Sequence, residues 1–166
     1  MWDERSGEHT PSFWGRGNGW VVLALVEALK CQQPGTPAYR RLVALCEKQL
    51  GGIVPLQDPK SGLWRTILDD PERYPETSCS AMLLYGLAES RNRKLIDVPW
   101  TDAIRRAWVG LARQVDEQGR VVGVSAGTGP SSGPEGHLAR PTGTFTWGTG
   151  AFLQAACAYA ESDLAP

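Results

Sequence analysis

Two kinds of predicted helix alternate along this chain, and their alternation limits the folds that are open to it. The segments that start near Gly19, Glu76 and Gly148 are apolar around most of their circumference, which is typical of helices with neighbours on most sides. The segments that follow Thr36 and Thr101 carry one apolar stripe opposite charged residues, which is typical of helices outside a core. The sequence therefore predicts an all-α fold that contains inner and outer helices.

Local capping and breaking residues predict where these five helices begin and end. The predicted bounds are Gly19 to about Lys30, Pro37 to Gly51-Gly52 with Thr36 as N-cap, a start near Glu76-Thr77-Ser78, a start capped by Thr101, and about Gly148 to Glu161.

The order of inner helix, short turn, outer helix and long loop occurs twice, as an internal repeat of ~60–70 residues. This order is that of an α/α toroid, whose pocket lies where the long loops meet the N-termini of the inner helices. Five helices are too few to close a ring of six hairpins, so we expect residues 1–166 to form a single partial domain, the C-terminal half of an (α/α)6 toroid. The first and fifth helices would then lack neighbours at two apolar seams, which contain Val21, Leu25, Leu29, Phe152, Leu153 and Tyr159.

Residues 14–20 (WGRGNGW) combine two indole rings, one arginine and three glycines at the start of an apolar helix. Indole faces suit the C–H side of a sugar ring, and the guanidinium fork suits a carboxylate. The first N–H groups of the helix would point at the same ligand. We therefore predict that Trp14, Arg16 and Trp20 contact an acidic sugar. The alternative is that both indoles are core packing beside a structural arginine.

Charge and composition exclude several classes of partner. The formal net charge is −1 and Lys and Arg are spread along the chain, so we expect neither a nucleic-acid nor a membrane partner. Residues 1–11 are polar and do not read as a signal peptide, and no apolar run is long enough to cross a bilayer. We expect a cytoplasmic protein.

Cysteine and histidine usage argues against a metal site. The two histidines, His9 and His137, lie in segments rich in small polar residues, and no cysteine pair has ligand spacing. We expect no metal, no cofactor and no serine triad. The four cysteines are predicted to be buried thiols: Cys31, Cys46, Cys79 and Cys157.

Seven short motifs, in order along the whole chain, resemble the unsaturated rhamnogalacturonyl and glucuronyl hydrolases, glycoside hydrolase families 105 and 88. They are residues 2–4 (WDE), 13–20 (FWGRGNGW), 62–64 (GLW), 76–82 (ETSCSAM), 127–129 (GTG), 140–141 (RP) and 148–153 (GTGAFL). The resemblance implies an (α/α)6 barrel that removes a 4,5-unsaturated uronic acid from oligosaccharides left by polysaccharide lyases. It also implies that an aspartic acid protonates the C4=C5 double bond while water adds at C5.

The same resemblance assigns Trp14, Arg16 and Trp20 to the sugar pocket and leaves this chain without a catalytic residue. The family's aspartate is expected upstream of Met1, and none of the nearby carboxylates matches its position: Asp3, Glu4, Asp69, Asp70 and Glu76. We therefore expect a family member that is inactive by itself, with a homodimer or the missing N-terminal half covering the seams.

Two other functions stay open. The first is a non-catalytic sugar-binding or helical interaction module, and the second is an unrelated α/α toroid such as an epimerase. The DNA directly upstream of Met1 separates a truncated hydrolase from a module, because only the former has an in-frame extension.

Overall fold

The computed structural model describes residues 2–3, 8–9, 12–127 and 140–165. This part of the chain contains five α-helices, one 3-10 helix and two short antiparallel strand pairs. In chain order they are β1 (Trp2–Asp3), β2 (Glu8–His9), α1 (Gly15–Lys30), α2 (Pro37–Ile53), the 3-10 helix (Val54–Leu56), α3 (Thr77–Asn92), α4 (Thr101–Ala112), β3 (Val124–Ser125), β4 (Thr142–Gly143) and α5 (Thr146–Ala160). In the register of the two pairs, Trp2 lies opposite His9 and Val124 opposite Gly143.

The helices form two layers, as the alternating pattern predicts. The inner helices α1, α3 and α5 pack side by side with α3 in the middle, while α2 lies against α1 and α4 against α3 and α5. This arrangement confirms the predicted all-α, partial-toroid fold. No helix in the described ranges combines the length and apolar character that a bilayer crossing needs.

The central helix α3 is buried along almost its whole length, from Thr77 to Ser90. Its neighbour α1 approaches closely at two glycines. A Cβ atom at Gly86 would lie closer than 3.0 Å to Cγ1 of Val22, and one at Gly19 would lie 3.0 Å from Cβ of Met82. These glycines therefore set the distance between α1 and α3.

The start of α1 and the end of α2 differ from the prediction. Helix α1 begins at Gly15 rather than Gly19, because Gly15 N–H donates to the Thr66 carbonyl at 2.8 Å and the glycine-rich turn is itself helical. This bond also means that the first N–H of α1 is not available to a ligand. Helix α2 continues through Gly51 and Gly52 to Ile53, since the buried side chains of Leu50 and Ile53 hold its last turn against the core.

The starts of α4 and α5 also differ from the prediction. Thr101 is the first helical residue of α4, and Trp100 occupies the N-cap without a side-chain hydrogen bond. Helix α5 begins at Thr146, two residues before Gly148, and ends at Ala160. By contrast, Thr36 caps α2 as predicted, with its hydroxyl accepting from Tyr39 N–H at 3.2 Å.

The edge helices α1 and α5 bury one face, not most of their surface as predicted. Val21 is 46% exposed and Leu153 57% exposed, so apolar side chains do lie in solvent at both edges of the inner row. Leu29 and Tyr159, which were predicted at the seams, are buried instead. Leu29 belongs to the core, while Tyr159 stacks on Trp108 with ring centroids 4.8 Å apart.

Candidate functional site

The candidate site begins where the chain enters α1. Trp14 is the extended N-cap residue of this helix, and its ring lies against Gly17, where a Cβ atom would come within 2.7 Å of Cε3. A Cβ atom at Gly15 would lie 2.5 Å from the Arg65 carbonyl oxygen. Both glycines are therefore required by close contacts, which keep this turn tight and fix the position of Arg16 between them.

The Arg16 side chain is only 4% exposed and points to a distant part of the chain. Its Nη1 donates to the Ser125 carbonyl at 2.7 Å and its Nη2 to the Ala126 carbonyl at 2.9 Å. The guanidinium carbon lies 5.5 Å from the centroid of the Trp14 ring and 5.8 Å from that of Trp147. A buried cation thus stands between two indoles at the N-terminal ends of α1 and α5.

Trp147 is a member of this cluster that the sequence analysis missed. Its ring stacks on Phe145 at a centroid distance of 4.7 Å, and its Nε1 atom is buried without a hydrogen-bond partner in the described structure. Gly148 allows this position, because a Cβ atom there would collide with Val124 of β3. The sequence signal that could have identified Trp147 is a tryptophan next to a glycine at the start of an apolar helix.

Trp20, the third predicted sugar contact, lies on α1 four residues after Arg16 and is 48% exposed. No ring stacking or cation contact within the described residues joins it to the Trp14–Arg16–Trp147 cluster. The structure therefore brings Trp14 and Arg16 together, while Trp20 lies half-exposed one turn further along the helix.

The N-terminus of α3 holds the segment that bears the two carbonyls. Thr77 Oγ1 donates to the Val122 carbonyl at 2.7 Å, and Thr77 N–H donates to the Gly123 carbonyl at 3.1 Å. Gly123 has a φ of 72°, a left-handed conformation that glycine adopts without strain. The Glu76 carboxylate accepts from the Ser125 N–H at 2.9 Å.

Several carboxylates that matched no catalytic position are engaged in structural contacts. Glu76 is 1% exposed and is the N-cap of α3. Asp70 pairs with Arg73 at 2.6 Å. Asp69 is exposed. The side chains of Asp3, Glu4 and His9, and all of His137, lie outside the described residues.

Two of the four cysteines are buried and two are exposed. Cys46 and Cys79 are buried as predicted, whereas Cys31 and Cys157 are exposed because they lie at the C-cap of α1 and on the open side of α5. Burial, followed by the charge of Glu47, raises the pKa of Cys46 to about 11. Within the described ranges, no group of three or more His, Cys, Asp or Glu side chains is arranged to hold a metal ion.

A second charged cluster lies between the C-terminal halves of α1 and α3. Lys30 Nζ lies 3.0 Å from Glu27 Oε1, 3.0 Å from Glu89 Oε1 and 3.2 Å from the Tyr85 hydroxyl. Burial raises the pKa of Glu89, but hydrogen bonds from Arg93 and Lys30 together with their charges outweigh burial and hold this pKa below its ordinary value. These contacts join α1 to α3 at the end away from Arg16.

Comparison with known proteins identifies the family. The fold is that of a partial (α/α)6 toroid, with the arginine-indole cluster at the N-terminal ends of its inner helices. Residues 1–162 match the model of Glycosyl Hydrolase Family 88, and the chain belongs to this family. The predicted resemblance to the unsaturated rhamnogalacturonyl and glucuronyl hydrolases is thereby confirmed.

Two relatives and one solved structure illustrate the similarity. The chain is 36% identical over 154 residues to the unsaturated rhamnogalacturonyl hydrolase YesR of Bacillus subtilis, covering 92% of this chain and 43% of the relative. It is 33% identical over 157 residues to an unsaturated 3S-rhamnoglycuronyl hydrolase of Alteromonas sp., covering 93% and 37%. A possible GH105 member from Klebsiella pneumoniae superposes with a TM-score of 0.87 at 25% identity, covering 95% and 42%. The chain thus spans about two fifths of the length of these proteins.

Proposed function

We propose that this chain forms the sugar-binding portion of an unsaturated uronyl hydrolase. Its substrates would be oligosaccharides that carry a 4,5-unsaturated uronic acid at the non-reducing end, as polysaccharide lyases leave them. The observation that carries the proposal is the Trp14–Arg16–Trp147 cluster, a buried cation between two indoles at the loop end of a toroid. Family membership and the activities by which the two relatives are named support it. A cytoplasmic location is part of the same proposal, and cell fractionation tests it.

In this proposal Arg16 binds the uronate carboxylate while Trp14 and Trp20 contact the sugar ring. A guanidinium carries five N–H donors in a planar fork, a geometry that suits a carboxylate. The two carbonyls also fix the plane of the guanidinium before a ligand arrives, which lowers the entropy lost on binding. Indole rings at this position suit the apolar face of a sugar.

We further propose that the acid that protonates the double bond is supplied from outside this chain. Glu76 accepts hydrogen bonds from Ser78, Cys79 and Ser125, and a carboxylate committed to these donors is poorly suited to transferring a proton. The chain by itself would then bind the substrate without turning it over. A second copy, or the N-terminal half found in a longer protein, would complete the toroid.

The test is calorimetric titration with an unsaturated uronyl disaccharide, with a neutral disaccharide as the matched ligand. Arg16→Lys keeps the charge but loses the fork, so its affinity for the acidic ligand should fall by ~1.5–3 kcal/mol, about 10-fold to 150-fold. Arg41→Lys on the exposed face of α2 is the control and should bind like the wild type.

Two outcomes would contradict the proposal. Equal affinity of the wild type for the acidic and neutral ligands would exclude a carboxylate site at Arg16. Sustained loss of the ultraviolet absorbance of the conjugated double bond, with pure protein, would show that a residue of this chain is the acid.

A further inference from the structure

Glu76 is an unusual N-cap for the central helix α3. The residues preferred at this position are Ser, Thr, Asp and Asn, whose short side chains reach the second and third N–H groups of a helix. Glu76 makes these two bonds, accepting from Ser78 N–H at 3.2 Å and from Cys79 N–H at 2.7 Å. An aspartate would suffice for the cap, so capping alone does not account for the longer side chain.

The additional methylene gives Glu76 a second contact. Its Oε1 atom accepts from the backbone N–H of Ser125 at 2.9 Å, across 49 residues of sequence. The carbonyl of Ser125 is in turn the acceptor for Arg16 Nη1 at 2.7 Å. A single residue of β3 therefore connects the buried carboxylate of Glu76 to the buried guanidinium of Arg16.

The charges around Glu76 are consistent with this hydrogen-bonded path from Glu76 through Ser125 to Arg16. No cation within the described residues forms an ion pair with Glu76, so hydrogen-bond donors alone compensate the charge of a carboxylate that is 1% exposed. The thiol of Cys79 lies close to both charges: burial raises its pKa well above the ordinary value, the Glu76 carboxylate raises it further and the Arg16 guanidinium lowers it.

We infer that Glu76 is a positioning residue for Arg16, acting through the backbone of Ser125. Its carboxylate fixes β3, and β3 presents the two carbonyls that orient the guanidinium between Trp14 and Trp147. The inference rests on the proposed function for its effect on sugar binding, but its effect on the cluster itself can be measured without ligand.

The decisive variant is Glu76→Asp, which keeps the preferred N-cap chemistry but is one methylene too short to reach Ser125. We expect the helix content to be unchanged and the near-ultraviolet circular dichroism of the tryptophans to shift toward that of Arg16→Lys. The affinity for an unsaturated uronyl disaccharide should fall ~5–10-fold. In the double variant with Arg16→Lys, the loss should be no greater than for Arg16→Lys alone, because both act on one contact.

The control is Thr36→Ala, which removes the N-cap of α2 far from the cluster. It should lower stability while leaving the tryptophan spectrum and the affinity unchanged. If Glu76→Asp behaves like this control, or its effect on affinity adds fully to that of Arg16→Lys, Glu76 is a cap and the inference is overturned. If the wild-type protein binds no acidic disaccharide, the proposed function fails, and the tryptophan spectrum of Glu76→Asp still decides whether Glu76 positions Arg16.

Discussion

The close approach of α1 to α3 at Gly86 leads to a quantitative prediction. Gly86 lies in the middle of α3, where replacing glycine by alanine in an unhindered helix would stabilise the protein by ~1 kcal/mol. Here the new methyl group would collide with Cγ1 of Val22, a side chain that is fully buried on α1. The collision forces the Val22 side chain or α1 itself to move away from α3.

The magnitude follows from two opposing effects. Overpacking of a tight core costs ~1–3 kcal/mol, so the helix-propensity gain is offset and Gly86→Ala should lower the free energy of unfolding by up to about 2 kcal/mol. Gly51→Ala is the matched control, because Gly51 lies within α2 with no atom within 4 Å of an added Cβ. This control should raise the free energy of unfolding by ~0.5–1 kcal/mol.

Urea unfolding of a double-variant cycle tests the contact directly. Val22→Ala removes Cγ1 and leaves Cβ 3.7 Å from the new methyl group, an ordinary contact distance. The pair Gly86→Ala and Val22→Ala should therefore show a favourable coupling energy of ~1–3 kcal/mol. If Gly86→Ala stabilised the protein as much as Gly51→Ala does, the two helices would not meet at this glycine.

Three further predictions concern the second charged cluster and the exposed edges. Tyr85→Phe removes a buried hydroxyl bonded to Lys30 and should destabilise by ~0.5–1.5 kcal/mol per bond lost, whereas Tyr74→Phe removes a buried hydroxyl that has no partner in the described residues and should not destabilise. The folded-state pKa of Glu89 lies below its ordinary value of 4.5, so the stabilisation by the ionised Glu89 is present above pH 4.5 and is lost as the pH falls through the lowered pKa. Lys30→Met should therefore move the acid-unfolding midpoint to higher pH, while the control Lys48→Met should not. Sedimentation analysis should show dimers or larger aggregates because apolar side chains lie exposed at both edges of the inner row, and a monodisperse, cooperatively melting monomer would contradict this.

Local signals were enough to predict the helices and their layers. Thr36 followed by proline at the first helical position marks the start of α2, because the cap and the first turn are local structures. Gly51 and Gly52 misled the prediction because glycine weakens a helix without ending it, and the burial of Leu50 and Ile53 depends on distant residues. One side of α1 is exposed for a similar reason. Its burial depends on which helices pack beside it, and sequence periodicity alone does not show that.

The candidate site was predictable in its residue types but not in its partners. The sequence WGRGNGW indicated an indole and arginine turn, and Trp14 and Arg16 do meet there. The carbonyls that hold Arg16 come from Ser125 and Ala126, more than a hundred residues away, and no local pattern marks a backbone oxygen as an acceptor. The contact of Trp147 with the cluster is also long-range in sequence, since Trp147 approaches Arg16 only when α5 packs beside α3.

The burial of α3 between α1 and α5 has a consequence for the order in which the protein opens. Backbone amides exchange with solvent through local unfolding, and the free energy of that opening rises with the number of packed neighbours that must separate. The amide protons of α3, from Met82 to Ser90, should be the last to exchange with deuterium, while those on the outer turns of α1 and α5 exchange earlier. Helix α3 would then be the last cooperative unit to unfold. Because its N-terminus is hydrogen-bonded to the segment from Val122 to Ser125, the carbonyls that contact Arg16 would keep their arrangement until α3 unfolds.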